Sequence, residues 1–430
     1  VSAPVWPHAV PPYRDGVPPR SDTPAVLRRR ATAVVVVAAA LLTTLTAAMV
    51  AARAQVRAIG DAAAPQAATA ADLYFALSDL DAQVARMVLI GGDDARAGSR
   101  IDALGTYDRR SEQVDADLRR VLGVAGPADE AVVRRLLDGL AVYRQRVGQA
   151  LTAAARPDAQ GAYTQATNVL HLELLPAAAE LRDRSEERLG DAYATGLRTE
   201  IAGVTVAVLL GGALLVLLVR LQVFLTRTFR RLVNPALLAA TVAVLGLAAG
   251  AATVLVAQGE CLRAARTESL SPFLALSRAR AVSYDAAADT GRALLGADPG
   301  HYDREFARKS ALLTGDRDGL AALSGSAELA ERWLGYRRDH QRIVALAGAG
   351  RRAEAVAGLT GLRRGDAAFD FYAFDTAVSA VAARHDRDFG REVARAGRLL
   401  RGWTVIPAAA AGLVILLAPL GVRARLAEYR

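Results

Sequence analysis

Residues 31–52 read ATAVVVVAAALLTTLTAAMVAA, 22 positions without a charge, entered through Arg28, Arg29 and Arg30 and left through Arg53. About 20 apolar residues at ~1.5 Å rise per residue span a ~30 Å hydrocarbon core, so this stretch is long enough to cross a bilayer. Three more share its character: IAGVTVAVLLGGALLVLLV at 201–219, PALLAATVAVLGLAAGAATVLVA at 235–257 and WTVIPAAAAGLVILLAPLGV at 403–422. Four spans would leave a tail 1–30, an arm 53–200, a short loop 220–234, a second arm 258–402 and an end 423–430. The first stretch exceeds the 7–15-residue core of a signal peptide and reads as a retained anchor. No span holds an acidic or basic residue, which argues against a proton relay or ion pathway.

The formal net charge of +9 is unevenly spread. The first arm holds 18 basic and 22 acidic residues, the second 23 and 19, so the arms cancel. The excess lies in the tail, in the loop (Arg220, Arg227, Arg230, Arg231) and in the end (Arg423, Arg425 and Arg430 against Glu428). Short Arg-rich segments stay on the cytoplasmic side. A multi-pass plasma-membrane protein is therefore expected, with both termini and the loop inside and both arms outside. Topology accounts for the basicity, and no nucleic-acid partner is implied. Arg outnumbers Lys 52 to 1, the single lysine being Lys309, a pattern that fits GC-rich coding. Cys261 has no second cysteine to pair with, leaving a lone thiol or a bridge between two copies of a homodimer.

Residues 1–27 are rich in Pro and small polar residues and read as disordered. From Ala31 onward Ala, Leu, Arg and Glu dominate, strand-type alternation is missing, and helix is expected almost throughout. Val133, Leu136, Leu140, Tyr143, Val147 and Ala150 step by three and four along one face. Leu329, Trp333, Tyr336, His340, Ile343 and Ala347 repeat that spacing in the second arm. Breakers at Gly91 to Asp94, Gly123 to Pro127 and Arg156-Pro157 divide the first arm into four helices. Gly296 to Gly300, Ser324 to Ser326 and Gly348 to Gly350 do the same in the second. The first and fourth helices of each arm show no clear stop before the spans, though Gly60 and Pro65 are placed to kink the first. The expected fold is an all-α membrane protein: four transmembrane helices and two tandem extracellular antiparallel four-helix bundles.

Short matches recur in order between the arms: Phe75 to Ser78 with Leu274 to Ser277, Tyr107-Asp108-Arg109 with Tyr302-Asp303-Arg304, Tyr143-Arg144 with Tyr336-Arg337, and Leu189-Gly190 with Phe389-Gly390. The ordered set points to a duplicated span–bundle–span unit. In the Tyr-Asp-Arg pairs, Tyr107, Arg109, Tyr302 and Arg304 are candidate ligand contacts, because an Arg beside an aromatic ring can grip a carboxylate. An ordinary helix surface is the alternative reading. Gly246-x-x-x-Gly250 is a small-residue motif suited to close helix packing.

Enzyme signatures are missing. His8, His171, His301, His340 and His385 lie far apart without metal-ligand spacing, and there is no phosphate-cradling Gly loop or nucleophile elbow. No catalytic residue, metal or cofactor is expected. His340 sits on an apolar stripe and reads as a hydrogen-bonded core histidine rather than a pH sensor.

A span, an extracellular four-helix bundle and a returning span form the plan of bacterial chemoreceptor and histidine-kinase sensor halves, and the chain resembles two such halves in tandem. Its loop 220–234 is too short for a HAMP module, and no output domain is expected at the end 423–430. In this it resembles the actinobacterial GlnX-like family of four-span proteins, over residues 28–430 and on architecture alone. That resemblance implies an extracellular partner, a glutamate/aspartate-binding lipoprotein, and a cytoplasmic partner, the soluble G-type Ser/Thr kinase. The chain would relay amino-acid status between them. Arg220, Arg227, Arg230 and Arg231 are the expected cytoplasmic coupling surface, with anionic lipid headgroups of the bilayer as the plainer partner. A cell-envelope scaffold and a direct small-molecule sensor are the alternatives.

Overall fold

A computed structural model describes residues 23–153, 158–229, 235–296, 298–316, 319–403, 405–410, 412–413 and 415–417. The described residues contain helices and turns and no strand. They divide into two compact units. One joins Val1–Val50, Ile201–Leu255 and Gly402–Arg430, the other Ala51–Glu200 and Val256–Arg401.

The first unit is built from the apolar parts of α1 (Thr23–Arg57), α6 (Leu175–Phe229) and α7 (Pro235–Ala264). Val34, Ala38, Leu41, Leu45 and Met49 form a buried stripe on α1, stepping by four and three. Leu237, Ala240, Val244, Leu247 and Ala251 do the same on α7. The opposite faces are apolar too, and Val36, Val208, Leu209, Val242 and Leu245 are exposed. A helix that is apolar all round belongs in lipid or in a large core. Gly250 lies against the Trp403 ring, where an added methyl would stand 2.8 Å from it, whereas Gly246 faces open space. The two glycines thus do not form one seam.

Three helical runs among the described residues, Arg28–Ile90, Ala159–Phe224 and Pro235–Leu295, contain a segment long and apolar enough to cross a membrane. The fourth stretch differs from expectation. The last arm helix, Ala367–Leu399, stops short of it; Gly402 turns the chain at φ 87°, and a separate apolar helix follows, described over Ile406–Leu417. Glycine alone takes this left-handed turn without strain, and the absent N–H of Pro407 suits a fresh helix start. The unbroken run from arm to span therefore holds for α6 and not for the end of the second arm. Arg230, Arg231, Arg156-Pro157 and the segments 1–22 and 418–430 lie outside the described residues, as does the side chain of Arg227.

In the second unit the first arm comprises α2 (Ala64–Ile90), α3 (Ala97–Leu122), α4 (Pro127–Thr152), α5 (Asp158–Val169) and the start of α6. The second comprises α8 (Ser271–Leu295), α9 (Pro299–Leu313), α10 (Leu320–Ser324), α11 (Glu328–Gly348), α12 (Arg352–Thr360) and α13 (Ala367–Leu399). Four helices were expected here; the chain also breaks after Leu313, and again after Thr360, where Gly365 takes φ 87°. Wide π-turns occupy Ala58–Ala63, Leu170–Leu174 and Ala265–Leu270, each ending two residues before a proline (Pro65, Pro176, Pro272). A proline donates no N–H and its ring crowds the preceding turn. Widening that turn lets the helix continue, with Ala64, Leu175 and Ser271 donating five residues back to Ile59, Leu170 and Arg266.

Each arm has its own core. The first is aliphatic around Leu77, Val133, Leu136 and Leu174; the second is aromatic around Trp333, Tyr336, Phe306 and Phe374. The arms do not stand apart as two bundles. Their most extensive packing is that of α2 on α8, where Gly291 faces Ala85 and lets the two backbones approach. Phe75 and Leu274, aligned by sequence, sit at different heights, 15 and 21 residues before the ends of their helices at Ile90 and Leu295.

Candidate functional site

The α2–α8 seam buries charge. Arg292 of α8, 3% exposed, reaches across to Asp81 of α2, fully buried, with Nη2–Oδ2 2.6 Å and Nε–Oδ2 3.1 Å. The same guanidinium bonds Asp285 at 3.1 Å and Asp289. Lys309 of α9 completes the cluster, its Nζ 2.6 Å from both Asp285 and Asp289. Thr167 and Tyr163 of α5 donate to Asp81 at 3.0 and 3.4 Å, and His171 Nε2 stands 3.7 Å from Asp285. Burial pushes the Asp289 carboxyl up to about 6 despite Arg292 and Lys309. Burial acts on Asp285 too, but there the two cations outweigh it and hold the carboxyl below its ordinary range. Burial and the Arg292 charge together lower His171 beside the cluster.

Lys309 is the chain's single lysine, a compact ammonium held between two carboxylates. Lys309→Arg is expected to lose about 1–3 kcal/mol of stability in denaturant titrations, through overpacking and a mismatched hydrogen-bond fork. A melt unchanged from the parent would show that the pocket has slack and the lysine is incidental.

Beside this cluster a cavity of about 380 Å³ opens between the arms. The first arm contributes Gln83, Arg86, Asp102, Thr106 and Arg109 to its wall. Tyr284, Tyr336, Phe371 and Tyr372 line it from the second arm, with Tyr284 and Phe371 edge to face at 4.7 Å. Arg86 spends Nη1 on Asp102 at 3.0 Å and Nη2 on the Thr360 carbonyl at 3.3 Å, while its Nε is buried without a partner. Gln83 donates to Asp79, and its Oε1 is likewise buried and unpartnered. Arg109 donates to Thr106 Oγ1 at 2.9 Å and has no carboxylate within ion-pair distance among the described residues. Below the cavity Phe75 is held between the Arg110 and Arg280 guanidinia, 4.6 and 4.0 Å from its ring centre. Asp79 and Asp375 anchor those two arginines, at 2.6 Å for Arg110 and 2.5 and 2.8 Å for Arg280.

Of the four candidate contacts read from sequence, only Arg109 reaches this cavity. Tyr107 packs on the first-arm core, and burial raises its hydroxyl. Tyr302 lies under the turn at Gly296, its ring near His301 at 5.2 Å, and Arg304 is exposed on α9. Asp303 between them accepts from His340 Nε2 at 3.0 Å; the other His340 nitrogen meets Thr290 Oγ1 at 2.9 Å, and the ring stacks on Phe306. Burial lowers this histidine. Arg220 is exposed near the end of α6. Among the described residues no group of three or more His, Cys, Asp or Glu side chains is placed to hold a metal ion.

Residues 55–194 match the family model of the actinobacterial sensor domain. The matched segment holds α2 to α5 and the arm part of α6, and so carries Asp81 and the Arg86–Arg109 wall of the cavity. It supports a sensor role for an all-helical chain with three membrane-length apolar helices. No curated protein and no solved structure matches the chain. The seam residues were missed in the sequence, although one signal was present: a lone Lys in a chain that otherwise uses Arg.

Proposed function

We propose that the chain is a non-enzymatic plasma-membrane sensor whose arms face outward and whose state is read by a separate protein at the inner face. The supporting observation is the sensor-domain match over residues 55–194, in a helical unit joined through α1 and α6 to apolar, membrane-length segments. On this reading all four apolar stretches cross the bilayer, the duplicated arms receive an amino-acid-loaded binding lipoprotein, and both termini are cytoplasmic. A partner that prefers one arrangement of the arms shifts the population by its differential affinity. Helix α6, unbroken from Leu175 to Phe229, carries a displacement toward the inner loop. There Arg220, Arg227, Arg230 and Arg231 meet a soluble Ser/Thr kinase. A second reading, direct sensing of a small molecule, is favoured by the cavity between the arms.

The test is cross-linked affinity purification of the full chain from actinobacterial membranes, beside a variant with all four loop arginines replaced by Gln and insertion verified. A Ser/Thr kinase recovered with the parent and lost with the variant is expected. Equal recovery from both refutes the coupling role of the loop. Envelope-synthesis or transport proteins in place of a kinase would favour a scaffold.

A further inference from the structure

The cavity wall presents more hydrogen-bonding capacity than the protein uses. Arg86 and Asp102 neutralise one another, as do Arg280 and Asp375, so Arg109 leaves the site with one uncompensated positive charge. A buried donor without a partner is costly, and the Arg86 Nε is one. Gln83 Oε1 adds an unused acceptor. Opposite these groups the wall is aromatic: Tyr284 and Phe371 form its floor, and Tyr372 stands 68% exposed at the mouth. A volume of about 380 Å³ lies within the range of about 300–1,000 Å³ usual for small-molecule pockets.

We propose that this cavity binds a small monocarboxylate with a flat aromatic body, the carboxylate gripped by Arg109 and Arg86 and the ring laid against Tyr284, Phe371 and Tyr372. The guanidinium wall belongs to the first arm and the aromatic wall to the second. A ligand of this shape therefore contacts both arms at once and favours the arrangement in which they are joined. A dicarboxylic amino acid such as glutamate is a poor fit, because its second carboxylate would meet the aromatic floor.

The full-length protein in lipid nanodiscs, titrated calorimetrically with 3-phenylpropionate, tests this. Saturable binding is expected, with butyrate and the neutral 3-phenylpropionamide each weaker by about tenfold or more. Arg109→Gln, at an exposed position whose loss leaves the core intact, should weaken 3-phenylpropionate by a similar factor. Tyr372→Ser should weaken it about threefold or more while sparing butyrate. Equal affinity for acid and amide, unchanged binding by Arg109→Gln, or no saturation up to about 10 mM would overturn the assignment. The titration reads occupancy alone, so its failure leaves the kinase-coupled sensor reading standing.

Discussion

Arg292→Met is expected to cost the protein about 3–5 kcal/mol of stability, most of it because three carboxylates lose a shared cation inside the arm interface. Arg292 is 3% exposed and Asp81 is fully buried, so water is not at hand to replace the lost bonds. Its guanidinium alone connects Asp81 of the first arm with Asp285 and Asp289 of the second. Met keeps most of the aliphatic volume, which isolates the charge from the packing. Adding Asp81→Leu to Arg292→Met should recover roughly half of the loss, since a buried pair exchanged for apolar residues is often neutral. Full recovery is not expected, because Asp285 and Asp289 would still share Lys309 alone. Denaturant titration of parent, single and double variants at neutral pH reads all three. A single-variant loss below about 1 kcal/mol would show that the cluster is hydrated and does not hold the arms together.

The helices were legible wherever one face is apolar and the other charged. Every position of the α4 stripe from Val133 to Ala150 is buried, and so are Leu329, Trp333, Tyr336, His340 and Ile343 on α11. Gly91, Gly325 and Gly350 end helices where the breakers were read, all at positive φ. The seam was not legible, for a physical reason. Asp79, Asp81 and Arg292 look like a solvated face in sequence, since Asp79 pairs with Arg110 on α3 and Asp81 with Arg292 across the seam. Asp81 and Arg292 are 211 positions apart. Nothing periodic announces such a pair, and α2 is buried on nearly every side instead of along one stripe. The cavity was half visible: Arg109 was singled out, but its aromatic counterpart is supplied by Tyr284, Phe371 and Tyr372 and not by Tyr107 beside it. The π-turns could have been read from Pro65, Pro176 and Pro272, because a proline inside a continuing helix needs its preceding turn widened.

Trp333→Ala is expected to remove about 3–5 kcal/mol, the cost of an unfilled hole at the largest fully buried side chain of the second arm. The ring contacts Phe374 at 5.3 Å, Tyr336 at 5.4 Å and Phe306 at 5.9 Å between centres, and its Nε1 donates to Ser310 Oγ at 2.9 Å. Trp333→Phe keeps much of the volume and loses the bond to Ser310, so about 1–2 kcal/mol is expected. The spread of the damage carries more information than its size. Helix α8 contributes Leu276, Ala286 and Leu294 to this aromatic core and also forms the seam with α2. If the seam couples the arms, hydrogen exchange in Trp333→Ala should quicken in α8, α11 and α13 and extend into α2. The pair α4 and α5, which pack chiefly on one another within the first arm, should keep protection longer. Acceleration that stops at α8 and spares α2 would mean that the arms open independently, and a ligand bridging them could not then report through the first arm.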